Sequence, residues 1–206
     1  LYEGENATGG TMAALTYPLP TPQKAGPFTP DDLPKLEQHG LFELVDGHLI
    51  EKPMGYFSGR TASKLTARLE WFLQEHPIGE VSSEVTFRCF PEKPNQLRRP
   101  DIAFISSARL ANVPAEGHVP IRPDLAIEVI SPGDGVYELD EKLEDYVSAA
   151  IPLVWIFNPA ARTVRVCKPD RSSRTLIETE TLDGGEILPG FALALRDLFP
   201  DRATGK

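Results

Sequence analysis

Apolar and polar positions along this chain follow two periods, and the switches between them mark out the elements. The longest helical pattern runs from Ser58 to His76. Leu65, Leu69, Phe72 and Leu73 recur there at helical spacing, with Ala62 one turn earlier. Arg60, Lys64 and Arg68 share another face, and Pro77 and Gly79 end the pattern. A second helical pattern from Val136 to Ala149 predicts Val136, Leu139, Leu143 and Val147 as its inner face. Strand patterns fall at Phe42–Val45, His48–Lys52, Val81–Phe90, Asp101–Ile105, Asp124–Ile130, Leu153–Phe157, Thr163–Cys167 and Thr175–Glu178. Asp46-Gly47 between the first two is a hairpin signal, so an N-terminal β-hairpin is expected. The run Asp124–Ile130 is apolar enough to be buried on both faces.

Thr29-Pro30-Asp31-Asp32 reads as a capped helix start, with proline at its first position and acids at the positive end. That helix should stop by Gly40. Ser131-Pro132-Gly133-Asp134-Gly135 and Asp183-Gly184-Gly185 are turns, and Pro189-Gly190-Phe191 is a C-terminal segment. The order of elements predicts an α/β fold, of α+β character, with a mixed sheet flanked by helices.

Composition narrows this picture. The chain has 206 residues, the length of one domain with an appendage. Residues 28–200 are expected to form that domain. The Pro- and Gly-rich residues 1–27 are expected to be a flexible arm rather than a signal peptide, and residues 201–206 a tail. No run is long and apolar enough for a membrane span. Two cysteines, Cys89 and Cys167, rule out a disulfide scaffold and favour a reducing, cytoplasmic compartment. The net charge of -9 argues against a protein that coats nucleic acid electrostatically, but not against one that gathers carboxylates around a metal.

The candidate chemistry follows from strand alternation. Asp101, Ala103 and Ile105 share one face of their strand, and Asp124, Ala126, Glu128 and Ile130 share one face of theirs. A carboxylate between Ile127 and Val129 is costly to bury unpaired. If the strands are neighbours, Asp101 and Glu128 meet, and their oxygens suit Mg²⁺ or Mn²⁺. Lys142 lies on the following helix, with Tyr146 four residues on along one face. Such a lysine can hold a nucleophilic water or stabilise phosphate charge. Among Asp134, Glu138, Asp140, Glu141, Glu144 and Asp145, it can equally make ordinary surface pairs.

Other features have plain readings. Arg60, Lys64 and Arg68 read as a solvated helix face or as a phosphate track. Arg98 and Arg99, just before Asp101, sit where the mouth of the proposed site would be. His39, His48, His76 and His118 lack metal-like spacing. Cys89, Cys167, Trp71 and Trp155 read as packing residues.

Five stretches together resemble a known family: Phe42-Glu43-Leu44-Val45-Asp46-Gly47-His48-Leu49, Arg99-Pro100-Asp101-Ile102-Ala103-Phe104, Asp124 through Pro132, Asp140-Glu141-Lys142 with Tyr146, and Leu153-Val154-Trp155-Ile156. The set is similar to the Uma-two family of putative restriction endonucleases, within the PD-(D/E)XK nuclease superfamily, over about Thr29 to Phe199. The resemblance implies a restriction endonuclease-like core and Mg²⁺-dependent hydrolysis of DNA phosphodiesters. It makes Pro100-Asp101 the PD pair, Glu128 the second acidic residue and Glu43 the upstream glutamate. Position 130 is Ile130 here, and Lys142 is the implied relocated lysine. Family members often carry a histidine near the start of the long helix, where this chain has Gly59-Arg60.

The implied mechanism has Asp101 and Glu128 hold the metal, with Glu43 as a further ligand or an orienter of the site. Without the resemblance, Glu43 reads as a cross-strand partner of a base on the hairpin. Arg98, Arg99 and Tyr146 are the implied substrate-binding residues. DNA is the implied partner, and a homodimer the implied assembly, because restriction-type nucleases pair subunits to cut two strands. Two alternatives stay open: a binding or oligomerisation module with a vestigial site, and a metal-dependent hydrolase of small phosphate esters.

Overall fold

A computed structural model of the chain describes residues 27–35, 41–51 and 55–199. The expected arm, the tail and the end of the first helix at Gly40 lie outside the described residues. The elements are β1 (Phe42–Val45), β2 (His48–Glu51), α1 (Tyr56–Glu75), β3 (Gly79–Ser83), β4 (Ile102–Ser106), β5 (Leu125–Val129), α2 (Val136–Ser148), β6 (Leu153–Asn158), β7 (Thr163–Cys167), β8 (Ser173–Ile177), β9 (Thr181–Gly184) and β10 (Leu188–Ala194). Strands β3 to β8 form one sheet in sequence order. Its pairs are antiparallel except β5 with β6, which run parallel. A parallel pair needs a long crossover, and α2 supplies it. The fold is thus a mixed sheet flanked by helices, with an N-terminal β-hairpin.

Alternation decides which residues face which helix. Ile102, Phe104, Leu125, Ile127, Val129, Leu153, Trp155 and Phe157 pack with Leu65, Leu69 and Leu73 of α1 in one core. Each such side chain, fully buried, contributes roughly 1.5–3 kcal/mol. The residues between them turn the other way: Ala126, Val154 and Ile156 meet Tyr146 of α2 and Ala149 at its C-terminal cap. Glu128, between Ile127 and Val129, therefore points toward α2. This alternation positions the site.

The β1–β2 hairpin turns at Asp46-Gly47, both at positive φ, where a side chain at Gly47 would meet Pro27 at 2.7 Å. Leu44 docks the hairpin, exchanging backbone hydrogen bonds with Leu97 at 3.0 and 2.9 Å. Among the described residues no helix is long and apolar enough to cross a membrane.

Several expectations are corrected. The strand expected over Val81–Phe90 ends at Ser83, because Glu84 adopts a left-handed conformation, and Phe87 makes only isolated bridges to Arg98 and Val119. The first helix is a 3-10 segment over Pro30–Lys35, with Pro34 inside it. The last strand is followed by a second hairpin, β9–β10, whose Leu182, Leu188, Phe191 and Leu193 join the α1 core; Phe191 stacks on Trp155. Trp71, read as a packing residue, is 70% exposed. The inner face of α2 is not the apolar set: Val136 is exposed, Leu139 and Leu143 are half-buried, and Lys142, Asp145 and Tyr146 are buried.

Candidate functional site

The antiparallel register of β4 on β5 sets Ile102 opposite Ile127 and Ala103 opposite Ala126. One step further, Asp101 comes opposite Glu128. The Val129 N–H donates to Asp101 Oδ2 at 2.5 Å, which fixes that carboxylate across the strand end. Glu128 reaches α2, where Tyr146 donates its hydroxyl to Oε1 at 2.6 Å. Lys142 Nζ lies 2.8 Å from Oε1 and 2.9 Å from Oε2. One turn of helix separates Lys142 from Tyr146, so a single face grips both oxygens of one carboxylate.

Glu43 arrives from the docked hairpin. Its Oε1 is 2.6 Å from Lys142 Nζ and accepts the Arg99 N–H at 2.8 Å. Its Oε2 accepts from Arg98 Nη1 at 3.1 Å. The cross-strand neighbour of Glu43 is Ile50, so the base-pairing role across the hairpin is not what this residue has. Its cations come from β-strand-flanking and helical segments far along the chain.

One residue of this cluster was missed by sequence reasoning. Asp145, read as part of an acidic helix surface, is buried. It accepts from Arg98 Nε at 2.6 Å, Gln96 Nε2 at 2.7 Å and Lys93 Nζ at 2.9 Å. The signal that finds it is spacing: Lys142, Asp145, Tyr146 and Ala149 follow the i, i+3, i+4, i+7 rule that apolar stripes obey. The helix buries a charged stripe, which a search for apolar residues passes over.

These side chains form one connected path, Asp145–Arg98–Glu43–Lys142–Glu128–Tyr146. Glu43, Arg98, Asp101, Glu128 and Lys142 line a cavity of about 320 Å³ closed by Ser131, Asp134 and Glu138. Burial by itself lowers the Arg98 pKa, but Glu43 and Asp145 outweigh it and raise it. Burial, with Glu128 and Glu43 beside it, holds the Tyr146 hydroxyl well above the usual phenol range, so it stays a donor. Burial lowers Arg99, against the attraction of Glu84 and Glu43.

Of the residues expected to bind substrate, Arg98 is not at the mouth of the cavity. Arg98 lies beneath the mouth, 3% exposed, with its guanidinium taken by Glu43 and Asp145. Tyr146 is buried against Glu128. Arg99 is half-buried and gives its backbone N–H to Glu43.

The donor set can be weighed against a divalent ion. Among the described residues the buried charged groups are four carboxylates, of Glu43, Asp101, Glu128 and Asp145, against two cations, Arg98 and Lys142. Counting the half-exposed Lys93 on Asp145, the set remains negative. Among the described residues no group of three or more His, Cys, Asp and Glu side chains is arranged to hold a metal. A dedicated protein cage is therefore absent there. Two adjacent carboxylates, with water filling the remaining positions, still fit the needs of Mg²⁺.

The geometry can be set beside known proteins. A crystal structure described as a putative nuclease belonging to DUF820 from Anabaena variabilis superposes with a TM-score of 0.70 at 21% identity, covering 84% of this chain and 98% of that one. At that identity the likeness shows the fold. A search of curated proteins gave no match. A family model, Uma2, described as "Putative restriction endonuclease", matches residues 30–196, which span both the sheet and every residue of the cluster. The chain belongs to the Uma-two family of putative restriction endonucleases.

Proposed function

We propose that the cavity is the active site of a divalent-metal-dependent endonuclease that hydrolyses DNA phosphodiester bonds. The observation that carries this reading is that Asp101, whose carboxylate accepts the Val129 N–H, lines one cavity with Glu128 and with Lys142, 2.8 Å from Glu128. Asp101 and Glu128 would hold Mg²⁺ or Mn²⁺. Such an ion, when bound, lowers the pKa of a water and offsets charge on the phosphate. Lys142 presents its ammonium to the attacking water or to a phosphate oxygen. Glu43 aims Lys142, and Tyr146 locks the Glu128 carboxylate in one orientation by donating to it. Arg98 and Asp145 support Glu43 from below. Cutting both strands of a duplex requires two such sites, so the reading extends to a homodimer.

The test is cleavage of plasmid, linear duplex and single-stranded DNA with Mg²⁺ or Mn²⁺, beside an Asp101→Ala variant. Metal-dependent cleavage lost in the variant supports the reading. Identical behaviour of the two proteins rejects it.

One observation favours a second reading. Lys142 already satisfies Glu43 and Glu128 internally, as it would in a binding module with a vestigial site. Titration with Mn²⁺ separates the two: the active site binds with an affinity that depends on Glu128, and the module does not bind.

A further inference from the structure

We propose that the outer face of α1 binds single-stranded DNA and leads it to the cavity. Phe57, Arg60, Lys64, Arg68 and Trp71 recur every three or four residues and so form one stripe along this helix. Phe57 is 60% and Trp71 70% exposed, a large apolar area to leave in water at both ends of three bases.

The basic residues of the stripe lie close together in a chain of net charge -9. Arg88, Arg109, Arg162, Arg171 and Arg174 each have an acidic partner. Arg60 and Arg68 have none among the described residues, and Lys64 donates only to the Asp197 carbonyl, at 3.3 Å. Glu75 at the far end is the acid on this stripe. The unneutralised charge suits a polyanion. Positions four apart lie about 6 Å apart along the axis, on the scale of the phosphate step in an extended strand.

The aromatic residues choose between strand forms. Bases of a duplex already stack on each other, whereas an unpaired base offers a face to Phe57 or Trp71. The stripe also has an address. At its start, the Gly55 N–H donates to Ser131 Oγ at 3.3 Å, and Ser58 Oγ donates to the Ile130 carbonyl at 2.9 Å. Ile130 and Ser131 line the cavity, so the N-terminal end of α1 abuts that lining, and a strand continuing past Phe57 would reach it. The phosphodiesterase reading is needed only for what happens there.

The test measures binding of the full chain to a fluorescein-labelled oligo-dT, and to a duplex of equal length, in EDTA over a range of salt. Oligo-dT should bind more tightly than the duplex. Arg60→Glu with Arg68→Glu should weaken oligo-dT at least tenfold and flatten the salt dependence. Trp71→Ala should weaken it about tenfold with an unchanged salt slope. All three positions are exposed, and matching thermal melts verify folding. Parent-like binding by either variant, or a duplex bound as tightly as oligo-dT, overturns the proposal. If no form cleaves DNA yet binding depends on the stripe, the endonuclease reading fails and the binding face stands.

Discussion

Arg98 donates from Nε to Asp145 at 2.6 Å across 47 positions of chain, and both side chains are buried. The pair anchors the hairpin residue Glu43 to α2, because the same guanidinium reaches Glu43 through Nη1. Removing one partner of a buried pair strands the other charge, at a cost of about 3–5 kcal/mol. Asp145→Ala should therefore lower the unfolding free energy measured in urea by that much, seen as a lower midpoint with an unchanged m-value. Asp145→Asn, which keeps the shape and one of the two accepting oxygens, should lose less. A midpoint for Asp145→Ala close to that of the parent would mean the cluster does not hold the fold together.

Lys142 is the only buried cation that touches both Glu43 and Glu128 among the described residues. If it handles the water or the phosphate, Lys142→Ala should reduce single-turnover cleavage by about 10²–10⁴-fold. Lys142→Arg should not restore it, because a planar guanidinium does not fit between two carboxylates placed for a point charge. Oligo-dT binding in EDTA should be unchanged in both, which separates a loss of chemistry from a loss of substrate. Cleavage by Lys142→Ala at the parent rate would leave this lysine a structural role.

Tyr146 links the site to alkaline stability. Its folded pKa is raised, by burial first and then by Glu128 and Glu43. Above about pH 10 the unfolded phenol gives up its proton while the folded one keeps it. The unfolded state then binds fewer protons, so stability falls as pH rises, and the contribution is fully present below that pH. Lys93, raised by its hydrogen bond to Asp145, adds in the same direction. Phenolate absorbance should show one of the five tyrosines failing to titrate until the protein unfolds. Tyr146→Phe should abolish that component, make the alkaline fall in Tm shallower, and cost about 1–3 kcal/mol at neutral pH through the lost hydrogen bond to Glu128.

Cys89 illustrates the same rule away from the candidate site. Burial pushes its thiol up to about 12, against the pull of Arg122 and Arg109, and burial also raises Cys167. Only the thiolate reacts. Native protein at neutral pH should therefore react slowly with a disulfide reagent, and denatured protein should release both thiols at once. Fast labelling of the native state at Cys89 would contradict this environment.

Much of the fold was legible from short stretches. Leu65, Leu69 and Leu73 announce α1, Asp46-Gly47 announces the hairpin, and the apolar run around Ile127 announces a central strand. Legibility failed where local signals oppose the outcome. Pro189 and Gly190 disguise β10, which is stabilised by packing Leu188, Phe191 and Leu193 against a core formed far away in sequence. The charged stripe of α2 hides its inner face, and Asp145 with it. For the candidate site, Glu43, Asp101, Glu128 and Lys142 stood out in sequence, and the structure brings them to one cavity. Arg98 also stood out, but for a position at the mouth that it does not occupy.

The sequence by itself determined the periods, the turns and the faces on which Asp101 and Glu128 lie, since these depend on neighbours a few residues away. The tertiary structure alone decided that Asp101 and Glu128 stand opposite each other, that Lys142 bridges Glu43 and Glu128, and that Arg98 is buried between Glu43 and Asp145. Asp101 and Glu128 are 27 positions apart, and Arg98 is 55 from Glu43 and 47 from Asp145. A charge takes its meaning from whether it is buried and what is buried with it, and that is settled by packing.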